Sequence, residues 1–443
     1  MEHDVPVIRW TATAVALVLT TTAVVSGQDA PLRLTIEEAI ARAEQNSLRV
    51  AELQARVDVA AATEAGRQAA SRPAIALLGG YTRTNHVDEY TLPLQPFNPL
   101  YPDVPDNYRA RVDLQWPIYT AGRQQALARA AGSERVAAGF DTAAARLDAR
   151  LEAARAFWAL VTASQTESVV QRALDTLDAH LRDLRSRLDQ GLIPPNDVLS
   201  AEAQRAHQQV MVIEARNLRQ VAKADLRRAI GDDSRRDIEA AHVPDDPAVP
   251  GSSSASLEVA HAQRPERRAM ASRIEAARER EEAAAALARP QISIAGGYDQ
   301  ARPNPRIFPR ADEWNGSWDV SVNVSWSLWD GGRHRAEEAE AAASARALAA
   351  RSADFDRHLA FEVEQRRLDV DSAIAAIAAA DVGIRAAQEA QRVVGERFTA
   401  GVATNTDVLD AQTDLLQAEL DRTRAVAAAR LAMARLDRAM GRP

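Results

Sequence analysis

Tyr108-Arg109-Ala110-Arg111-Val112-Asp113-Leu114-Gln115-Trp116-Pro117-Ile118 alternates apolar and polar residues from end to end. Successive side chains of a strand point to opposite faces, so this period of two predicts a strand with one apolar and one polar face. A second segment repeats the pattern, with Trp318, Val320, Val322, Val324, Trp326 and Leu328 in one phase and Asp319, Ser321, Asn323, Ser325 and Ser327 in the other.

Both segments sit inside a longer internal repeat. Ser71-Arg72-Pro73, followed by Ile75 and Gly79-Gly80-Tyr81, recurs as Ala288-Arg289-Pro290, Ile292 and Gly296-Gly297-Tyr298 at an offset of 217. Trp116 and Gly122-Arg123 recur as Trp326 and Gly332-Arg333 at an offset of 210, as do Gly191 and Asp197-Val198-Leu199 in Gly401 and Asp407-Val408-Leu409. The 443 residues are therefore two copies of one unit: helix, strand, loop, strand, very long helix, tight turn, helix. The first copy covers 28–231, with a hairpin at 74–118, a long helix at 123–190 and a helix at 196–230. The second covers 257–443, with a hairpin at 291–329, a long helix at 333–400 and a helix at 405–440.

A half-buried soluble sheet would also alternate, but three features point to a membrane. Each strand runs about 10 residues, the length a tilted strand needs to cross a bilayer. All six tyrosines and five of the seven tryptophans lie in or beside the hairpins, which predicts an aromatic girdle of Tyr81, Tyr108, Trp116, Tyr119, Tyr298, Trp318, Trp326 and Trp329 against membrane lipid. Arg109, Arg111 and Asp113 take the polar phase, where they escape the roughly 2–4 kcal/mol that a basic residue costs when it faces lipid at the midplane.

In lipid every backbone group must find a partner, so a sheet spans only as a closed barrel. Four strands cannot close, whereas three chains supply twelve, and a cyclic homotrimer is expected. The long proline-free helices would each reach about 100 Å at 1.5 Å per residue. The shorter segments match that length if 196–230 stacks on 256–289, and 405–440 on 35–72. The expected fold is mainly α with a membrane β-barrel portion: a twelve-strand β-barrel continued by a long α-helical barrel. Its loops at 85–107 and 301–316 should face the exterior.

The ends and the middle add context. Residues 10–25 form an uncharged, largely apolar run after Arg9, and small residues follow at Ser26 and Gly27, so 1–27 predicts a cleaved secretory signal. The stretch 232–256, with Pro244, Pro247 and Pro250, predicts an equatorial linker belting the helices. The absence of cysteine excludes disulfides and a lipid-bearing cysteine, and the net charge of −8 argues against nucleic acid as a partner. Eight scattered histidines and the lack of nucleophile-elbow, phosphate-loop or zinc-helix motifs predict no enzyme, no metal site and no cofactor.

Leu34-Thr35-Ile36-Glu37-Glu38-Ala39, the junctions Gly122-Arg123 and Gly331-Gly332-Arg333, and two Gly-x5-Asp-Val-Leu turns together resemble the TolC-like outer-membrane efflux proteins across nearly the whole mature chain. The resemblance implies that the α-helical barrel is periplasmic, and it implies an exit duct in a tripartite efflux or type I secretion system, with a periplasmic adaptor and an inner-membrane transporter of RND or ABC type. It also implies adaptor-contacting tips at Gly191, Leu192, Gly401 and Val402, and a periplasmic gate at Asp407 and Asp410, with Asp197 linked to it. Three copies of the two aspartates would repel anions and favour cations. Carboxylates in a first helical turn also serve the helix dipole, which is the competing role for Asp197 and Asp407. This chain carries Ala403 and Phe398 where the family can place a basic residue and a tyrosine. A trimeric adhesive stalk is the alternative from another class; it predicts apolar heptads that these Ala- and Arg-rich helices lack.

Overall fold

The computed structural model describes residues 31–91, 99–234, 236–241 and 256–442. The expected signal at 1–27 and the prolines of the linker lie outside those residues. The first half runs β1 (Leu32–Leu34), α1 (Ile36–Asn46), α2 (Leu48–Ala69), β2 (Ala74–Arg83), β3 (Tyr90–Thr91), β4 (Pro99–Tyr101), β5 (Asp106–Tyr119), α3 (Arg123–Asp189) and α4 (Pro195–Ile230). After β6 (Ile238–Ala240) come α5 (Ser256–Gln263), α6 (Pro265–Ala285), β7 (Gln291–Arg302), β8 (Asn315–Ser325), α7 (Arg333–Thr399) and α8 (Asn405–Met440). The two copies agree to the residue in their two longer helices, since α3 and α7 have 67 residues each and α4 and α8 have 36 each.

The four long strands form one antiparallel sheet in the order β2-β5-β7-β8. Its register puts Ile75 opposite Leu114, Leu114 opposite Gly296, and Gly296 opposite Val320, so the apolar phases of all four strands share a face. At the lower end of β5 a bulge between Pro117 and Tyr119 brings Tyr119 opposite Ile292. Proline has no N–H for the ladder, and the extra residue restores pairing beyond it. Tyr119 thereby joins the apolar row that strict alternation had assigned to Ile118.

The matching end of β8 is shorter than its alternation suggests. The strand stops at Ser325, which pairs with Gln291. The next partner for Trp326 would be Pro290, which again offers no N–H. Trp326, Leu328 and Trp329 therefore lie beyond the ladder, and the Trp326 indole donates instead to the Ala288 carbonyl at 3.1 Å.

The helical body is lined by small residues. Along α3, Ala126, Ala137, Ala153 and Ala156 are fully buried, and such side chains let neighbouring axes approach closely. Larger residues gather near the equator, where Phe157 and Leu160 meet Leu226, Ile230, Leu34 and Ile238. Fully burying a leucine or phenylalanine contributes about 2 kcal/mol, so this cluster anchors the equator. The short parallel ribbon of β1 and β6 covers it.

Two segments expected as single helices are each broken. Ser47 leaves helical geometry and its hydroxyl accepts from the Val50 N–H, so 35–72 divides into α1 and α2. Pro265 has no N–H to continue a helix and opens α6 instead, which separates it from α5.

The end-to-end stacking also differs from the expected one. The Asn46 amide donates to the Ile230 carbonyl at 2.9 Å, so α4 runs onto α2. Arg264 donates to the carbonyls of Arg438 and Ala439 at 3.0 and 2.8 Å, so α8 runs onto α6. The partners are exchanged relative to the length argument: α2 and α4 both lie along α3, while α6 and α8 both lie against α7 and α3.

Candidate conduction path

The polar face of the sheet carries a compact network of charge. Arg111 donates to Asp113 at 2.6 Å, to Asp319 at 3.0 Å and to Asp299 at 3.2 Å. Arg109 forks onto Asp299 as well, through its Nε at 2.8 Å. Asp299 is only 4% exposed, yet its two arginines keep it paired. These residues come from three strands; Arg109, Arg111, Asp113 and Asp319 lie in the polar phase of the alternation, and the register sets Asp299 opposite Arg111 on the same face.

The opposite face offers no such network. Ile75, Leu77, Trp318, Val320 and Val324 are all more than 65% exposed in the single chain. A contiguous apolar surface of this extent marks a membrane or a partner. Among the described residues no helix is long and apolar enough to cross a membrane.

All eight expected girdle aromatics are exposed. Tyr81 pairs across the sheet with Tyr108, their ring centroids 5.1 Å apart, and Trp314 adds a third ring 6.1 Å from Tyr108. Trp314 is one of the five tryptophans expected in or beside the hairpins. Tyr298 and Trp318 pair with each other in the row of Leu77 and Val112, while Trp116 and Tyr119 lie toward the helix end.

At the far end of the molecule the two tight turns are alike. Gly191 and Gly401 adopt φ of +73° and +76°, which favours glycine. The Leu192 N–H returns to the Arg187 carbonyl at 2.9 Å, and the Val402 N–H to the Arg397 carbonyl at 2.8 Å. Leu192 and Val402 are left about two-thirds exposed, at 67% and 68%. The turns thus present two equivalent apolar points per chain.

Beyond the turns, Asp407 closes a capping box with Thr404. Its carboxylate accepts from the Thr404 N–H at 2.7 Å and hydroxyl at 2.8 Å, and these bonds hold its pKa below the usual carboxylate range. Asp410 is exposed one turn later, with no hydrogen bond or ion pair among the described residues. Asp197 is half-buried, and its backbone carbonyl accepts from the Asn405 amide at 3.0 Å. The three aspartates are therefore not equivalent: one caps, one is free, and one is tied through its backbone.

Asn405 is the residue that sequence reasoning missed. It is 4% exposed and joins the two helical hairpins, binding Asp197 on one side and the His180 Nε2 at 2.8 Å on the other. Phe398 fills the space beside it, 5.5 Å from His180 and beneath the Arg187 guanidinium at 4.7 Å. A signal was present, since Asn405 stands where the first copy has Pro195.

A four-strand sheet with one lipid-like and one charged face, mounted on helices of 67 residues, defines a segment of an outer-membrane channel rather than a soluble domain. The chain belongs to the outer membrane efflux protein family, whose model matches residues 39–232 and again 256–442. It is an outer-membrane efflux channel protein that extends into the periplasm. The chain is similar to the solved structure of CusC, with a TM-score of 0.81, 15% identity and 93% of each chain covered. It is also similar to the outer membrane protein VceC from Vibrio cholerae, with a TM-score of 0.77, 22% identity, and 92% of this chain and 96% of that one covered. For the MtrE outer membrane channel of Neisseria gonorrhoeae, solved in an open state, the TM-score is 0.77 at 20% identity, covering 92% and 89%. At these identities the likeness is one of fold. No curated protein matches the chain.

Proposed function

We propose that three copies of this chain close a twelve-strand barrel and a helical tunnel, and that the trimer is the passive exit duct of a tripartite efflux or type I secretion assembly. The observation that carries this reading is the sheet itself, whose outer strands β2 and β8 each lack a second partner among the described residues. Unpaired edges are not tolerated in lipid, and pairing β8 of one chain with β2 of the next removes all of them at once.

The polar face then lines the lumen, and the equivalent turns at Gly191-Leu192 and Gly401-Val402 form the periplasmic rim that a periplasmic adaptor grips. An inner-membrane transporter of RND or ABC type would select the cargo upstream. Asp410 is the aspartate best placed to act on passing ions, since its carboxylate is not engaged elsewhere. Asp407 contributes charge while it caps α8, and Asp197 links the outer hairpin to this region through Asn405. The test is the native mass of the detergent-purified protein, corrected for bound detergent. Three copies support the closed duct, while a stable monomer leaves the sheet edges open and overturns it.

A further inference from the structure

The loop of the second hairpin does not stand away into the exterior, as its polar composition suggests. Asn304 is 3% exposed, and its amide donates to the Asn315 carbonyl at 2.8 Å and the Ser317 hydroxyl at 3.1 Å. Arg306 donates to the Trp318 carbonyl at 2.8 Å and lies 3.4 Å from Asp319. Ser317 and Asp319 both belong to the polar phase of β8. Farther along, the Arg310 guanidinium stacks 4.8 Å over the ring of Tyr101, in the loop of the first hairpin. A cavity of about 510 Å³ remains between Pro303, Pro305 and Arg310 above and Leu78, Arg109 and Arg111 below. The loop therefore crosses the charged face from β8 toward the first hairpin, at the end of the sheet opposite the helices.

We propose that residues 303–314 form an inward strap that narrows the outer mouth of the duct, with Arg306 as the positioning residue that holds it down on Asp319. The proposal rests on the charged face being the lumen. The tie is built to release. Arg306 is half exposed and Asp319 about a quarter, so their attraction is weak and screened by salt. Asp319 also keeps Arg111 as a partner at 3.0 Å, and lifting Arg306 away leaves no bare carboxylate behind. Asn304 anchors the base of the strap, and the exposed stretch beyond it, held by an exposed ion pair, opens at low cost, which suits a strap that must yield to outgoing cargo. While it is down, the strap admits small solutes from outside and excludes bulky ones.

The chain contains no cysteine, so a single Leu78→Cys substitution places a unique thiol under the strap. Intact cells are labelled from outside with membrane-impermeant maleimides, one small and one carried on a long polymer, in the Leu78→Cys background with and without Arg306→Ala. The expected result is labelling by the small reagent in both proteins and by the polymer reagent only in the Arg306→Ala variant. An Asp319→Asn variant, which weakens the same tie from the other side and keeps the size of the side chain, should shift polymer labelling in the same direction but less, since Arg306 keeps the Trp318 carbonyl. Equal polymer labelling in both proteins overturns the strap. Polymer exclusion that persists in both the Arg306 and Asp319 variants overturns the tie assigned to Arg306. Failure of even the small reagent to reach Leu78→Cys in any variant overturns the lumen assignment, and with it the duct.

Discussion

The Asn46 side-chain amide and the Ile230 carbonyl, 184 residues apart in sequence and 2.9 Å apart in space, splice two helices into one column. Gly231 completes the splice at φ +64°, with no room for a methyl because a Cβ there would meet the Asn46 side chain at 2.6 Å. Asn46→Ala should lower stability by about 1 kcal/mol, the usual worth of one hydrogen bond in a partly buried site. Helix unfolding in detergent, followed by circular dichroism against guanidinium, would measure it. No change in the midpoint would mean that the column is held by packing alone.

The counterpart splice at Arg264 should matter more. Arg264 is 7% exposed and satisfies two carbonyls of α8 along with Glu266 and Glu362. Arg264→Met leaves these groups without their donor, and the expected loss is about 3 kcal/mol. The same unfolding experiment ranks the two variants, and a smaller loss for Arg264→Met than for Asn46→Ala would contradict the buried-charge account.

Ala121 adopts φ +52°, the only positive φ at a non-glycine position among the described residues, and its repeat counterpart is Gly331. Nothing lies within 4 Å of a Cβ built on Gly331, so only backbone strain opposes a side chain there. Gly331→Ala should cost about 1 kcal/mol, and Ala121→Gly should be neutral or slightly stabilising. Opposite shifts in thermal midpoint for these two variants would confirm the strain; equal shifts would not.

Ion preference should separate the aspartates at the periplasmic end. Asp410→Asn is expected to weaken cation selectivity in planar bilayers, and Asp407→Asn to do so while also fraying the start of α8. Thr404→Val removes the cap partner but not the charge. It should therefore leave the reversal potential near that of the unaltered protein. An unchanged reversal potential in the Asp407→Asn/Asp410→Asn double variant removes both from the conduction path.

Glu152 gives a pH signature at the equator. Arg155 foremost, and then Arg228, hold its carboxyl down to about 2, well below its usual value near 4.5. A depressed folded pKa means stability that is fully present above the unfolded value and is lost as pH falls toward the folded one. Unfolding midpoints should thus decline between about pH 4.5 and 2. In Glu152→Gln the acid limb should be shallower, and an identical limb would show that other carboxylates dominate it.

What could be read from the sequence was whatever a period or a length encodes. The alternation through Val112 and Val322 located the apolar face, and the proline-free runs after Gly122 and Gly332 located two helices of equal length. Features set by a single missing or added hydrogen bond were not legible. Pro290 ends the ladder opposite Trp326, Pro265 and Ser47 restart helices, and the caps at Asn46 and Arg264 choose which short helix follows which. The path of the loop through Asn304 and Arg306 depends on where Ser317 and Asp319 point once the sheet has formed. At the helical tips, the paired turns were visible as a repeat, but the join through Asn405 was a departure from it.

The two bare margins of the sheet carry a further implication for how the protein comes into being. A newly exported chain holds Trp318, Val320, Val322 and Val324 on a surface that water disfavours, beside strands able to pair with any extended peptide. Neither hazard is relieved by the chain folding alone, and neither is relieved by lipid while the margins stay open. Both hazards end when the margins of neighbouring copies pair within lipid, which couples membrane entry to assembly.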